Sequence, residues 1–126
     1  MGVFETGASI AFRSFHIMPG APPPEGERHT HDYRIDVVVA RNELDERGMV
    51  VDLDVLGEVL EGLRSRLEGA DLDQIILDVD AVTVEVFADW VHGRVGDALT
   101  GSGCEDLSVR VWESPVAFGG YRAAPA

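Results

Sequence analysis

The stretch PGAPPPEGER, residues 19–28, sets the strongest limit on how this chain can fold. Proline has a fixed φ and no backbone N–H, so three in a row fit neither a helix interior nor a central strand. The segment must be a loop. The residues before it, ASIAFRSFHIM (8–18), alternate loosely around Ile10, Phe12 and Phe15 and read as a strand. The residues after it, HTHDYRIDVVVARNEL (29–44), are rich in Val, Ile and Tyr and read as a long strand. Two strand-like runs joined by one loop predict a hairpin.

DERG (45–48) supplies turn residues, and MVVDL (49–53) reads as an antiparallel return strand. Asp54 is placed to cap a helix over 55–68, where Val55, Leu56, Val59, Leu60, Leu63 and Leu67 recur at helical spacing. EGADLDQ breaks that helix. Thr83 can cap a second one, with Phe87, Trp90, Val91, Val95 and Ala98 as its apolar stripe. TGSGCED (100–106) is a loop, LSVRVWE (107–113) alternates as a strand, and Gly119 and Gly120 interrupt a short last strand ending near Arg122. The order β-β-(β)-α-α-β-β predicts an α+β domain, an antiparallel sheet with helices on one face, spanning residues 1–126.

Composition narrows the functional classes. The net charge of −13, from 23 acidic and 10 basic residues, opposes nucleic-acid binding, which relies on neutralising phosphates. Only local groups such as Arg13, Arg28 and Arg34 could hold a small anion. No apolar run is long enough to span a bilayer, so no membrane partner is expected. No basic-then-apolar leader is visible at the N-terminus, which points to the cytoplasm. A single cysteine, Cys104, excludes an internal disulfide and fits a reducing compartment.

The histidines carry the chemistry. On a strand, residues i and i+2 point the same way, so His29 and His31 share a face. His16 ends the preceding strand, and a hairpin would bring it beside them. Three imidazoles without a thiolate suit Zn²⁺, and three protein ligands leave a fourth position for water or substrate. Paired histidines also occur on strands without any metal. His92 falls near the apolar stripe of the second helix and reads as structural, and Cys104 reads as a passive thiol.

Five segments in order, "FRSFH", "HTHDYRIDVVV", "ELDERGMVVDLDVL", "VTVEVFADWV" and "VRVWESP", resemble the 6-pyruvoyl-tetrahydropterin synthase and 6-carboxy-tetrahydropterin synthase family over about residues 9–122. The resemblance implies a tunnelling fold: an antiparallel sheet with two helices on one side, joined with other copies into a barrel as a trimer or a dimer of trimers. It implies active sites at subunit interfaces and a catalytic Zn²⁺ on three histidines, matched by His16, His29 and His31. It implies a pterin-like small-molecule substrate anchored by a glutamate, matched by Glu113. A carboxylate can accept two hydrogen bonds from the amino-pyrimidine edge of a pterin. The family's Thr-x-Glu matches Thr83 and Glu85, lining the same pocket.

The departures from the family concern proton transfer. The family's cysteine, four residues before the first histidine of the H-x-H pair, is Glu25 here, with Glu27 nearby. Its Leu-Asp-His run is Leu67-Glu68-Gly69. The glycine and asparagine flanking the second family histidine are Thr30 and Asp32. The resemblance therefore implies a zinc-dependent lyase working on the side chain of dihydroneopterin or its triphosphate, with Glu25 or Glu27 as base and Glu68 as a proton relay. Loop glutamates are also commonly no more than solvated charge. Two other expectations stand beside this one: a zinc enzyme turned to a different heterocyclic or polyhydroxylated substrate, and a non-catalytic pterin-binding protein.

Overall fold

The computed structural model describes residues 2–125. The chain runs β1 (Phe4–His16), β2 (His29–Arg41), α1 (Leu53–Leu67), α2 (Leu72–Ile75), α3 (Val84–Ala98), β3 (Asp106–Ser114) and β4 (Ala117–Ala123). The four strands form one sheet in the order β1-β2-β3-β4, with every neighbouring pair antiparallel. The helices lie on one face, α1 against β1 and α3 against β3 and β4. This is the predicted α+β arrangement.

Alternation decides which side chains face the helices. On β2, Tyr33, Ile35, Val37 and Val39 are buried, while Thr30, Asp32 and Arg34 are exposed. On β1 the buried set is Phe12, Ser14 and His16; on β3 it is Leu107, Val109 and Val111. These rows meet Leu56, Leu60, Leu63 and Leu67 of α1 and Phe87, Val91 and Val95 of α3 in a single core. Ser14, fully buried, donates its hydroxyl to the Leu67 carbonyl at 2.5 Å and so ties the end of α1 to β1. An otherwise orphaned C-terminal helix carbonyl is satisfied in this way.

Several expectations need correction. The return strand at 49–53 does not form. Asp45 Oδ1 accepts the N–H groups of Arg47 and Met49 in a tight turn, and Asp52 already caps α1 through the Asp54 N–H at 2.9 Å. The cap is therefore Asp52 rather than Asp54, and the few residues between turn and cap leave no room for a strand. Val50 and Val51 still enter the core. Val55 is 45% exposed and Ala98 is exposed, both lying off the buried stripes. β1 starts at Phe4 and ends at His16, and β2 stops at Arg41.

A short helix, α2, forms where only a break was expected. Gly119 and Gly120 lie within β4 instead of interrupting it. Gly119 faces the start of α3, and a Cβ there would sit 2.6 Å from Val84 Cγ2 and 2.9 Å from the Glu85 nitrogen. Only glycine lets strand and helix approach this closely.

Candidate metal centre

The β1–β2 ladder runs to its last rung, where His16 stands opposite His29. His31, two rungs inward, faces Ser14 across the ladder and shares the helix-side face with both. Ring centroids are 4.4 Å apart for His16–His29, 5.1 Å for His16–His31 and 4.9 Å for His29–His31. One nitrogen from each ring lies within 4.8 Å of the others. Pattern, hairpin and face therefore combine as the spacing predicted.

The donor set fits a divalent cation on three grounds. First, His16 is buried, and among the described residues neither of its ring nitrogens makes a hydrogen bond of good geometry, the Val82 backbone lying nearby. A buried polar group without a partner costs free energy, and a metal bond would satisfy one nitrogen. Second, His29 Nε2 and His31 Nε2 approach to 3.1 Å. Two ring lone pairs at that distance repel unless a proton or a cation lies between them. A tetrahedral Zn²⁺ with bonds of about 2.0–2.1 Å sets its nitrogens about 3.3 Å apart. Third, His29 Nδ1 lies 2.7 Å from the Glu27 carbonyl. Donation there puts the proton on Nδ1 and leaves Nε2 as the metal-facing atom, the usual outer support of a ligating histidine.

Electrostatics agree. Burial first, then the neighbouring His29 and His31, hold the His16 imidazole below its usual pKa, against a weaker opposite pull from Asp73 and the Val82 backbone. The ring is therefore kept neutral, the form a metal needs. Tyr33 continues the row. Its buried ring lies 5.5 Å from His31 and 5.4 Å from Phe87 of α3. Burial, then the charges of Glu113 and Asp73, raise its hydroxyl well above the ordinary value, so it stays a donor. Tyr33 and Asp73 were not singled out from the sequence. Tyr33 was hidden as a strand residue, and Asp73 lay in what read as a helix break.

Glu113 sits at a β-bulge. Trp112 pairs with Phe118 and Ser114 with Ala117, which leaves Glu113 without a partner on β4. Bulges re-aim a side chain and are common beside active sites. The residue is half-buried, and its charge reaches the Tyr33 hydroxyl. Thr83 caps α3, its hydroxyl accepting the Val86 N–H at 3.2 Å, and Glu85 is exposed in the first turn. Phe87 of α3 packs on Tyr33, and the Val82 backbone, just before the helix, lies near His16.

The proposed proton-transfer groups are placed differently. Glu25 and Glu27 are exposed in the loop and are engaged through their backbones: the Glu25 carbonyl accepts the Met18 N–H, the Glu27 carbonyl faces His29, and the Glu27 N–H donates to the Pro24 carbonyl. Glu68 is exposed at the end of α1, and its Oε2 accepts the Arg13 N–H at 2.7 Å on the edge of β1. Gly69 follows with φ +71°, and its N–H donates to the Arg13 carbonyl. Thr30 and Asp32 point to the helix-free face, away from the histidines. Arg13, Arg28 and Arg34 are paired with Asp32, Asp71 and Asp36, so each cation named for a small anion is already engaged. His92 donates its Nε2–H to the Ala123 carbonyl, 3.0 Å away, a contact that ties α3 to the end of β4. Half-buried Cys104 points its thiol at the Val50 carbonyl.

Comparison with known proteins supports the same frame. The family model for 6-pyruvoyl tetrahydropterin synthase matches residues 7–124. A Pyrococcus horikoshii protein provisionally named 6-carboxy-5,6,7,8-tetrahydropterin synthase is 29% identical over 113 residues, covering 71% of each chain. Among solved structures, 6-pyruvoyl tetrahydropterin synthase of Caenorhabditis elegans superposes with a TM-score of 0.76 at 18% identity, covering 98% of both chains. The Plasmodium vivax enzyme, in a form with a catalytic glutamate replaced by alanine, gives a TM-score of 0.79 at 12% identity, covering 98% of this chain and 99% of that one. At these identities the structural likeness establishes the fold.

Proposed function

Because the chain belongs to the 6-pyruvoyl tetrahydropterin synthase family, we propose that it is a zinc-dependent lyase acting on the side chain of a dihydropterin, either dihydroneopterin or its triphosphate. The observation that supports this reading is the convergence of His16, His29 and His31, with neither nitrogen of the buried His16 ring in a hydrogen bond of good geometry among the described residues. Those three residues would hold the ion. Bound Zn²⁺ supplies Lewis acidity toward a side-chain oxygen of the substrate.

The remaining work falls to the chain. Glu113 accepts two hydrogen bonds from the amino-pyrimidine edge and fixes the ring. Thr83 and Glu85 border the same pocket at the start of α3. Tyr33, kept protonated, offers a hydroxyl donor beside the cluster. The base is Glu25 or Glu27, on the loop that leads into His29. A glutamate is a catalytic residue in the Plasmodium vivax enzyme, which supports a carboxylate in this role. Glu68 is the weaker candidate, since it would have to release the Arg13 N–H to relay a proton. Both loop glutamates are exposed in the single chain, so a partly dry pocket needs neighbouring copies. A trimer or a dimer of trimers in the cytoplasm is the assembly this reading implies.

Gly69, where the family has histidine, favours a second reading: the same zinc site turned to another heterocyclic or polyhydroxylated substrate. The full chain should carry about one zinc per copy by metal analysis. Incubation with dihydroneopterin and its triphosphate, followed by mass spectrometry, should reveal a shortened side chain. Glu25→Ala or Glu27→Ala should abolish turnover with zinc retained. Zinc without turnover of either compound removes the first reading, and no zinc uptake removes both.

A further inference from the structure

The segment between α1 and the end of α2 is tied to both strands at the end that carries the histidines. The Phe15 N–H donates to the Ala70 carbonyl at 2.8 Å, and Phe15 forms a parallel bridge with Asp71. Two carboxylates then reach past the bridge. Asp71 accepts Arg28 Nε at 3.1 and 3.2 Å, and the Arg28 guanidinium lies 3.6 Å over the Phe15 ring. Asp73 Oδ2 accepts the Ile17 N–H at 3.0 Å.

The placement of these contacts matters. Ile17 follows His16, and Arg28 precedes His29. The β1–β2 ladder stops at the His16–His29 rung, and a long proline-rich loop begins there. Ladder ends fray, because the last rung is supported from one side only. The two aspartates grip the residues just outside that rung, one after the end of β1 and one before the start of β2.

We propose that Asp71 and Asp73 are positioning residues of the metal centre, holding Arg28 and the Ile17 backbone so that His16 and His29 stay opposed across the last rung. The proposal rests on the three-histidine reading. It differs from an ordinary stabilising role, because the grip falls on the neighbours of two ligands and leaves the core untouched.

The test measures zinc affinity of the full chain by competition with a chromophoric chelator, alongside the thermal midpoint of the zinc-free protein. Asp73→Ala and Asp71→Ala should each weaken zinc binding roughly 10-fold or more, the scale of losing an outer support. Asp73→Asn should restore affinity to within about 3-fold, since an amide oxygen still accepts the Ile17 N–H. Arg28→Met, at an exposed position that cannot disturb the core, should weaken binding as Asp71→Ala does. Asp45→Ala, in the turn before α1, should lower the thermal midpoint and leave zinc affinity unchanged. Wild-type affinity in Asp71→Ala, Asp73→Ala and Arg28→Met overturns the positioning role alone. So does an Asp73→Asn variant as weak as Asp73→Ala. A wild-type chain that takes up no zinc overturns the metal reading and this proposal with it.

Discussion

At the scale of single residues, the site depends on which ring atom carries a proton and where one carboxylate points. The Glu27 carbonyl settles the first for His29 by taking Nδ1, which leaves Nε2 toward His31. The bulge settles the second for Glu113, which no longer has to follow the strand's ladder. A charged acceptor binds donors more strongly than a neutral one, by an increment that reaches tenfold at about 1.4 kcal/mol. Glu113→Gln should therefore lower kcat/KM toward the dihydropterin by about 10-fold or more while zinc content stays unchanged. Steady-state kinetics beside metal analysis check this. Full activity in Glu113→Gln would remove its anchoring role.

At the scale of elements, the start of α3 is held by two small features. Thr83 satisfies a free helix N–H, and Gly119 lets β4 lie against Val84 and Glu85. Gly119→Ala forces a methyl to 2.6 Å from Val84 Cγ2 and 2.9 Å from the Glu85 backbone nitrogen. The backbone contact cannot swing aside, so the change should cost about 1–3 kcal/mol, as overpacking does. Thr83→Ala should cost about 1 kcal/mol through the lost cap. Urea unfolding of the two variants measures both, and the double variant should depart from additivity, since the two sites meet at one helix turn. Gly120→Ala has more room on the exposed side, although its Cβ would still lie 3.0 Å from the Val109 carbonyl.

At the scale of the whole molecule, the helix-free face is a lattice of opposite charges across strands. Asp36 is its best-buried member, accepting from Ser9, Arg34 and the Trp112 indole at 2.6–3.1 Å. Burial pushes its carboxyl up, but these donors outweigh burial and hold it below the ordinary value. A carboxyl depressed by folding stabilises the protein fully above its unfolded pKa, near 3.9, and that contribution is lost as pH falls through the folded value. Asp36→Asn should thus cost about 1–3 kcal/mol at pH 7, and the gap to wild type should close below about pH 4. A gap of equal size at pH 3 would show that the charge is not what matters. The outer strands β1 and β4 carry the unpaired edges of this sheet among the described residues, and the assembly proposed above would pair them between copies. Light scattering should find a mass of three or six chains.

The sequence by itself determined the elements whose signals are local. Proline chemistry made 19–28 a loop, the Val-, Ile- and Tyr-rich run made 29–44 a strand, of which 29–41 forms, with His29 and His31 on one side, and the leucine spacing made α1. The hairpin that returns His16 to them followed from the same local rules. Tertiary contacts decided the rest. The 49–53 strand disappeared because Asp45 and Asp52 took its backbone groups into a turn and a cap. The Glu113 bulge exists only through mismatched pairing with β4, and Asp73 reached the Ile17 N–H, beside His16, only because α2 folds back on β1. Local periodicity records which face a side chain takes. Contacts between residues 56 positions apart, as for Ile17 and Asp73, leave no periodic trace in a single chain.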